Sequence, residues 1–222
     1  MNLEINKIKA IIFDMDGVIF DTETVYLKVW SDVFEKYGYK MTKEIYASVL
    51  GTGRENVKKV FLNCFGDNLP IDDMYIEKDE NLATEIEKGV PLKLGVYEIL
   101  EYLKENNFKI ALATSAISER AFKQLNQANI EGFFDVIVCR DDVIKTKPNP
   151  EIFLKAANKL GVSPEECVVI EDSSAGIEAA VNAGMVPIHV VDLKEADEKI
   201  LSNSYKSFED LNEIRKELIN MK

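Results

Sequence analysis

The sequence predicts an α/β fold, a doubly wound parallel sheet into which a second, helical domain is inserted. Short apolar runs rich in β-branched residues recur along the chain, as expected for parallel strands that are covered on both faces. Stretches with helical spacing of apolar residues separate these runs, which indicates βαβ units. One long stretch after the first run shows helical patterns only. This interruption is the reason for predicting an insertion.

Five runs have the length and composition of strands, and the helical stretches lie between them. The predicted strands are 10–13, 109–114, 136–139, 167–171 and 186–191. The predicted helices of the sheet domain are 95–106, 118–129, 150–160 and 174–183. The third of these opens on Pro150 followed by Glu151, which suits the first turn of a helix.

The inserted domain is predicted to span residues 20–90, so that residues 1–19 and 91–222 form the sheet domain. Four helical patterns follow one another in this stretch, and no strand candidate interrupts them. Open α/β sheets bind their ligands at the carboxyl ends of the strands. An insertion placed directly after the first strand is therefore expected to lie over that edge.

Composition and charge exclude several classes of function. Lys and Arg total 27 against 39 Asp and Glu, a net charge of −12, which argues against a nucleic-acid partner because phosphate backbones are repelled. The sequence holds no apolar stretch approaching the roughly 18 residues of a membrane span, so no membrane association is expected. The N-terminus lacks the pattern of a signal peptide. A cytoplasmic monomer is the expectation.

The three cysteines and the single histidine are interpreted as structural. Cys64, Cys139 and Cys167 are widely spaced without a CxxC pair, so neither a zinc site nor a disulfide framework is predicted, and buried thiols are favoured. His189 lies inside an apolar run and is assigned to the core rather than to a ligand set.

Acidic, hydroxyl and basic residues stand where the predicted strands end. They are Asp14 and Asp16, Thr114 and Ser115, Lys147, and Glu171 and Asp172. Successive strands of a parallel sheet end at one edge, so these side chains are expected to converge. An aspartate nucleophile, a second acid, a hydroxyl, a lysine and two acidic metal ligands together suit phosphoryl transfer. The alternatives are a helix cap for the Thr114–Ser115 pair, with Ser118 as another cap, and solvated loop positions for the charged residues.

The segments "DMDGVIFDTE", "ATS", "KPNPE" and "IEDSSAGIEAA" occur in this order. They resemble the four motifs of the haloacid dehalogenase superfamily, and more closely its phosphatase and β-phosphoglucomutase branch with a helical cap. The resemblance covers nearly the whole chain and implies a Rossmann-like core with a cap domain over residues 20–90. It implies a Mg²⁺-dependent enzyme that acts on a small phosphorylated metabolite.

The resemblance also implies a role for each core residue. Asp14 would be the nucleophile that forms an aspartyl-phosphate, and Asp16 the general acid. Mg²⁺ would be held by oxygen ligands, in agreement with its preference for hard donors. Those ligands would be Asp14, the main-chain carbonyl of Asp16, Asp172 and Glu171. Thr114 and the amide of Ser115 would hold phosphate oxygens, and Lys147 would neutralise the nucleophile and the transferring group.

The cap is expected to select the substrate, through Thr22, Tyr26, Gly51 and Arg54. The family's β-phosphoglucomutases carry a histidine in the first cap helix and a Lys-Gly-x-x-Arg element in the cap. Here the histidine position is Tyr26 and the lysine position is Leu50. Hydrolysis of a small phosphate monoester, a sugar phosphate above all, is therefore favoured over the alternative, a sugar-phosphate mutase. A receiver-like phosphoacceptor domain is the non-enzyme alternative.

Overall fold

The computed structural model describes residues 5–50, 52–193 and 196–221. Its strands are β1 (Ala10–Phe13), β2 (Lys109–Ala113), β3 (Val136–Val138), β4 (Cys167–Glu171), β5 (Val186–Val190) and β6 (Ser207–Phe208). In the described ranges these six strands form one parallel sheet in the order β3-β2-β1-β4-β5-β6. The predicted fold class is confirmed.

Ten α-helices lie in the same ranges. They are α1 (Thr22–Lys36), α2 (Lys43–Ala47), α3 (Arg54–Phe65), α4 (Ile71–Glu87), α5 (Val96–Glu105), α6 (Ser118–Gln127), α7 (Glu151–Leu160), α8 (Ser174–Asn182), α9 (Glu198–Asn203) and α10 (Leu211–Asn220). Short 3-10 turns occur at Ile5–Lys7, Glu131–Phe133, Arg140–Asp142 and Pro164–Glu166. None of the helices seen in the described residues combines the length and the apolar character needed to span a bilayer.

Each predicted strand is present, with its end within one residue of the expected position. The sixth strand was not predicted, because Ser207 and Phe208 are flanked by polar residues and give no apolar run. The last two helices were not predicted either. Both begin after an aspartate cap, Asp197 for α9 and Asp210 for α10, whose carboxylate accepts from a backbone N–H of the first turn.

The apolar runs are continuous because both faces of the sheet are buried. All four residues of β1 are inaccessible to solvent. Helices α7 and α8 contribute Phe153 and Ala180 to a buried cluster with Ala10, Ile12 and Val169 of the sheet. Apolar residues are favoured at every position of such a strand, since no position faces water. Of the cysteines, Cys139 and Cys167 are buried as predicted, whereas Cys64 is exposed and the buried interpretation was wrong for it.

The position of β1 in the sheet sets the position of the site. It lies between β2 and β4, so the chain proceeds to one side of β1 first and later crosses to the other side. Ile12 pairs with Ala111 and with Val169, which brings the carboxyl ends of the three strands level. Open α/β sheets bind ligands at such a switch point.

The chain divides into two compact units. The first runs to Asp21 and resumes at Pro91, and the second is Thr22–Val90. The predicted boundaries had placed the change at residues 19 and 20 and at residues 90 and 91. The described residues of the second unit hold four helices and no strand. Its interior is built from aromatic rings packed edge to face, among them Trp30 against Tyr75 with centroids 4.9 Å apart and Trp30 against Phe61 at 5.3 Å.

Candidate active site

Lys147 joins two carboxylates at the end of β1. Its Nζ donates to Oδ1 of Asp14 at 2.5 Å, to Oε1 of Glu171 at 2.8 Å and to the carbonyl of Ala113 at 3.2 Å. The side chain is only 6% exposed, and Nζ lies 4.7 Å from the ring centroid of Phe153. A buried ammonium requires such partners, since an unpaired charge is strongly disfavoured in the interior. The structure thus brings four separate segments together around one cation.

Glu171 is held in place from its other oxygen. Oε2 accepts from the backbone N–H of Ser173 at 2.7 Å and from its hydroxyl at 2.9 Å. The first turn of α8 passes so close that a Cβ at Gly176 would lie 1.7 Å from Oε1 of Glu171. A side chain at this position is therefore impossible without moving the glutamate, which explains a glycine inside a helix.

Asp172 lies against the turn that follows Asp16. A Cβ at Gly17 would lie 2.4 Å from Oδ2 of Asp172, and Gly17 has a φ of +78°. Glycine is required here for its left-handed backbone and for the space it leaves. The main-chain carbonyl of Asp172 lies 3.1 Å from Nε2 of His189, a residue that is fully buried in β5 as predicted.

The cluster carries more negative charge than Lys147 compensates. Asp14, Glu171 and Asp172 each offer a carboxylate oxygen, and these oxygens lie within 4.8 Å of one another. Burial raises the pKa of Asp14 to about 7, against the lowering effect of Lys147 and with a further rise from Glu171. Burial, Glu171 and Asp14 raise the pKa of Asp172 well above its ordinary value. These carboxylates are under electrostatic strain that a bound cation would relieve.

Glu171 and Lys147 differ from Asp14 and Asp172, because their neighbours stabilise the charged form of each. Burial disfavours the ionised form of Glu171, yet Lys147 and the Ser173 donors hold its pKa below the ordinary value. Burial also opposes the ammonium of Lys147, but Asp14 and Glu171 keep its pKa raised. Lys147 and Glu171 therefore favour each other's charged form. Asp14 and Asp172 are left as the oxygen donors that need a second cation, and a small hard divalent ion such as Mg²⁺ fits them.

Asp16 is engaged elsewhere. Its carboxylate forms an ion pair with the guanidinium of Arg120 on α6. A carboxyl held in this way is not available to a substrate oxygen, so catalysis would require Arg120 to release it. Sequence reasoning missed Arg120, because it lies 104 residues from Asp16 on a helix surface and belongs to no motif.

The Thr114–Ser115 turn does not form the helix cap that was the alternative interpretation of this pair, since Ile117 is the N-cap residue of α6. Thr114 is fully buried, and its hydroxyl oxygen accepts from the N–H of Ala116 at 3.0 Å, while Ser115 is exposed. Neither Thr114 nor Ser118 caps α6. Ser118 is the first residue of the helix, and both its N–H and its hydroxyl donate to Asp141, at 3.0 and 2.6 Å.

The residues predicted to select the substrate lie in the second unit. Thr22 begins α1 and is buried. Tyr26 and Arg54 line a cavity of about 290 Å³, together with Leu50. Gly51 lies outside the described residues.

The cavity contains a second cation that the sequence did not reveal. The side chain of Lys78 is 9% exposed, and its Nζ lies 5.6 to 5.7 Å from the ring centroids of Tyr26, Trp30 and Tyr75. Such contacts are cation–π interactions, favourable when the cation is desolvated. Lys78 therefore joins Arg54, which the sequence predicts to contact the substrate, in the lining of this cavity.

The charges of this cavity balance. Asp79 pairs with Lys78 and also with Arg54, at 3.6 Å, and Arg54 stacks 4.1 Å from the ring centroid of Tyr75. A second carboxylate, Glu23, accepts from the hydroxyl of Tyr46 at 2.5 Å. Two cations and two carboxylates thus line one aromatic cavity.

Known proteins resemble the chain along most of its length. Residues 11–190 match the family of haloacid dehalogenase-like hydrolases. This chain belongs to that family. A phosphorylated carbohydrates phosphatase of Thermotoga maritima is 36% identical over 186 residues, covering 82% of this chain and 85% of the relative. A β-phosphoglucomutase of Bacillus subtilis is also 36% identical, over 190 residues, covering 82% and 83%.

A solved structure agrees with these sequence relatives. The crystal structure of a putative β-phosphoglucomutase from Thermotoga maritima has a TM-score of 0.76 and 31% identity, covering 94% of this chain and 99% of the other. The predicted family is confirmed, and with it an enzyme of the haloacid dehalogenase-like phosphatase type. The receiver-like alternative is set aside by this membership.

Proposed function

We propose that this haloacid dehalogenase-like hydrolase cleaves a small organic phosphate monoester through an aspartyl-phosphate on Asp14. One observation carries the proposal: Asp14 is buried at the end of β1 in direct contact with Lys147, beside two further carboxylates. A carboxylate oxygen paired with one cation, and placed to share another, suits attack on phosphorus in a site that compensates the charge of the phosphate.

The chain's own residues divide the chemistry. A carboxylate oxygen of Asp14 bonds to phosphorus as the bond to the leaving oxygen breaks, and Asp16 gives that oxygen its proton. Asp16 then takes a proton from the water that hydrolyses the aspartyl-phosphate. Lys147 offsets the repulsion between Asp14 and the incoming phosphate, by roughly 4 kcal/mol gross for a unit charge at about 4 Å and a dielectric of about 20.

A divalent cation would be held by Asp14 and Asp172, with Glu171 and the main-chain carbonyl of Asp16 as further candidates. When bound, it supplies charge neutralisation at the phosphate and keeps Asp14 ionised. Thr114 and the amide of Ser115 are proposed to contact phosphate oxygens at the end of β2.

The cavity of the second unit favours a phosphatase over a mutase. We propose that it binds the organic part of the ester. A mutase must hold a second phosphate, and such a dianion needs an excess of positive charge. Lys78 and Arg54 are instead balanced by Asp79 and Glu23. A lining of paired charges and aromatic rings suits uncharged hydroxyl groups, as in a sugar. The Thermotoga maritima relative, named for phosphorylated carbohydrates, agrees with this choice.

Phosphate release tests the proposal directly. We expect the purified protein to release inorganic phosphate from p-nitrophenyl phosphate and from sugar monophosphates with Mg²⁺, and to lose this activity in EDTA. With β-glucose 1-phosphate the expected products are glucose and phosphate, measured by enzymatic assay. Glucose 6-phosphate as the main product would establish a mutase instead. Stoichiometric self-labelling without turnover would contradict hydrolysis altogether.

Substitution of Lys78 tests the role of the cavity. Lys78→Met is expected to raise KM for a sugar monophosphate about 10-fold to 100-fold, since a hydrogen bond to a charged group contributes about 1.5–3 kcal/mol. Hydrolysis of p-nitrophenyl phosphate, which lacks sugar hydroxyls, should change less than about threefold. Lys59→Met, at an exposed lysine of α3, is the matched control. Equal losses on both substrates would show that Lys78 supports the fold of the cap rather than substrate recognition.

A further inference from the structure

His189 makes two hydrogen bonds in the interior of the sheet. Its Nδ1 lies 2.7 Å from the hydroxyl of Ser207 on β6, and its Nε2 lies 3.1 Å from the main-chain oxygen of Asp172. The imidazole is fully buried between β4 and β6. An apolar residue would suit a strand that is covered on both faces. The imidazole of His189 is polar, so its two hydrogen bonds must offset the free-energy cost of removing it from water.

The chemistry of the partners fixes the direction of one of these bonds. A carbonyl oxygen only accepts, so Nε2 must carry a proton and donate to Asp172 whatever the charge of the ring. With Nε2 protonated, Nδ1 of the neutral imidazole is an acceptor, and it lies 2.7 Å from the hydroxyl of Ser207. The hydroxyl of Ser207 then donates to Nδ1. The two bonds form one chain from β6 through β5 to the loop after β4.

We propose that His189 is a positioning residue for the divalent-cation site, anchoring the backbone of Asp172 through Nε2–H. Asp172 lies just beyond the end of β4, whose register with β5 ends at the pair of Glu171 and His189. Its carboxylate lies within 4.8 Å of those of Asp14 and Glu171, and Oδ2 occupies space that is free because Gly17 has no Cβ. Outer contacts that orient ligands typically change metal affinity by about 10-fold to 100-fold. The inference rests on the proposed function.

Substitution of His189 by glutamine or by asparagine distinguishes the effect of the hydrogen bond to Asp172 from the effect of losing the ring. The amide nitrogen of glutamine corresponds to Nε2, and that of asparagine corresponds to Nδ1. His189→Gln can therefore still donate to Asp172, whereas His189→Asn cannot reach it. We measure Mn²⁺ binding by electron paramagnetic resonance, since Mn²⁺ takes the same oxygen ligands as Mg²⁺. This readout does not depend on turnover.

We expect His189→Asn to weaken Mn²⁺ binding about 10-fold and His189→Gln to stay within about threefold of the unsubstituted protein. The activation constant for Mg²⁺ should rise in parallel for the asparagine variant, with kcat at saturating Mg²⁺ nearly unchanged. Unchanged affinity in both variants would overturn the inference, and so would equal weakening in both. Absence of Mn²⁺ binding by the unsubstituted protein would instead overturn the metal-dependent function itself.

Two further measurements do not depend on the asparagine variant. Ser207→Ala removes the donor to Nδ1 and is expected to weaken Mn²⁺ binding about fivefold, the effect of one hydrogen bond. Unchanged binding would show that the hydrogen bond from Ser207 to His189 does not contribute to the position of Asp172. The sequence contains one histidine, so ¹⁵N resonances of the imidazole in untagged protein belong to His189 alone. We expect a protonated Nε2 whose signal shifts when Mg²⁺ is added. A ring protonated on Nδ1 only would overturn the inference.

Discussion

Asp14→Asn is expected to abolish turnover, lowering kcat by at least about 10⁴-fold, because the amide oxygen is a poor nucleophile. Oδ1 of Asp14 is the oxygen that Lys147 contacts at 2.5 Å, whereas Asp16 is paired with Arg120 and Glu171 is bonded through both oxygens. Steady-state hydrolysis of p-nitrophenyl phosphate measures the loss. Trapping of radiolabelled phosphate on the protein should disappear with it.

The same substitution is expected to stabilise the metal-free protein at pH 8. Burial raises the pKa of Asp14 to about 7, so the folded state holds this proton at pH values where the unfolded chain has released it. Stability from this group is complete below the unfolded pKa and is lost as the pH rises through about 7. An asparagine avoids that loss, by on the order of 4 kcal/mol at pH 8 for a pKa raised from 3.8 to about 7.

Urea unfolding in EDTA, at pH 5 and at pH 8, measures this gain. The difference between the two proteins should be small at pH 5 and should grow with pH. Asp67→Asn, at an exposed aspartate of the second unit, is the control and should change neither activity nor stability. Normal hydrolysis by Asp14→Asn would show that the nucleophile is misassigned. A loss of stability at pH 8 would show that Asp14 is held charged by contacts other than a metal.

The buried position of the Asp14 carboxylate explains both expected effects of Asp14→Asn, the gain in stability and the loss of turnover. A buried carboxylate beside two others is unfavourable in the empty fold, and it is useful only where a cation and a phosphoryl group arrive. The carboxylate of Asp14 thus lowers the free energy of unfolding at a position where catalysis needs it, as is common for active-site groups.

The sequence was sufficient for those parts of the fold that depend on local pattern. The run Ala10–Phe13 is apolar at every position because it is buried on both faces, so its limits could be read directly. The two-residue strand at Ser207–Phe208 could not, because it forms only by pairing with β5. Its hydrogen bonds depend on tertiary contact and leave no periodic signal.

The same distinction applies to the site. Convergence of Asp14, Lys147 and Glu171 followed from the rule that parallel strands end at one edge, and the structure places them in contact. Arg120 and Lys78 were missed because their partners are distant in sequence or gathered from several helices. His189 was correctly assigned to the core, but its bond to Asp172 depends on the register between two strands.

Lys147→Met is expected to have the second large effect, lowering kcat/KM by about 10³-fold, since roughly 4 kcal/mol of gross attraction corresponds to that factor. It should also destabilise the metal-free protein by about 3 kcal/mol at pH 8, because removal of one partner leaves buried charge uncompensated. Lys147 is the cation that contacts both Asp14 and Glu171, and methionine retains most of its apolar stem. Urea unfolding and p-nitrophenyl phosphate hydrolysis measure the two effects.

The pH dependence of this variant separates charge from packing. Without Lys147, the buried carboxylates of Asp14 and Glu171 bind protons more tightly when folded, so the stability of the variant should fall more steeply as the pH rises from 5 to 8. Added Mg²⁺ should recover part of the loss, because a cation that binds the folded state alone stabilises it. Lys145→Met, at an exposed lysine in the same loop, should show neither effect. A loss that is equal at both pH values and insensitive to Mg²⁺ would mean that Lys147 serves packing against Phe153, and the electrostatic account of the site would then be wrong.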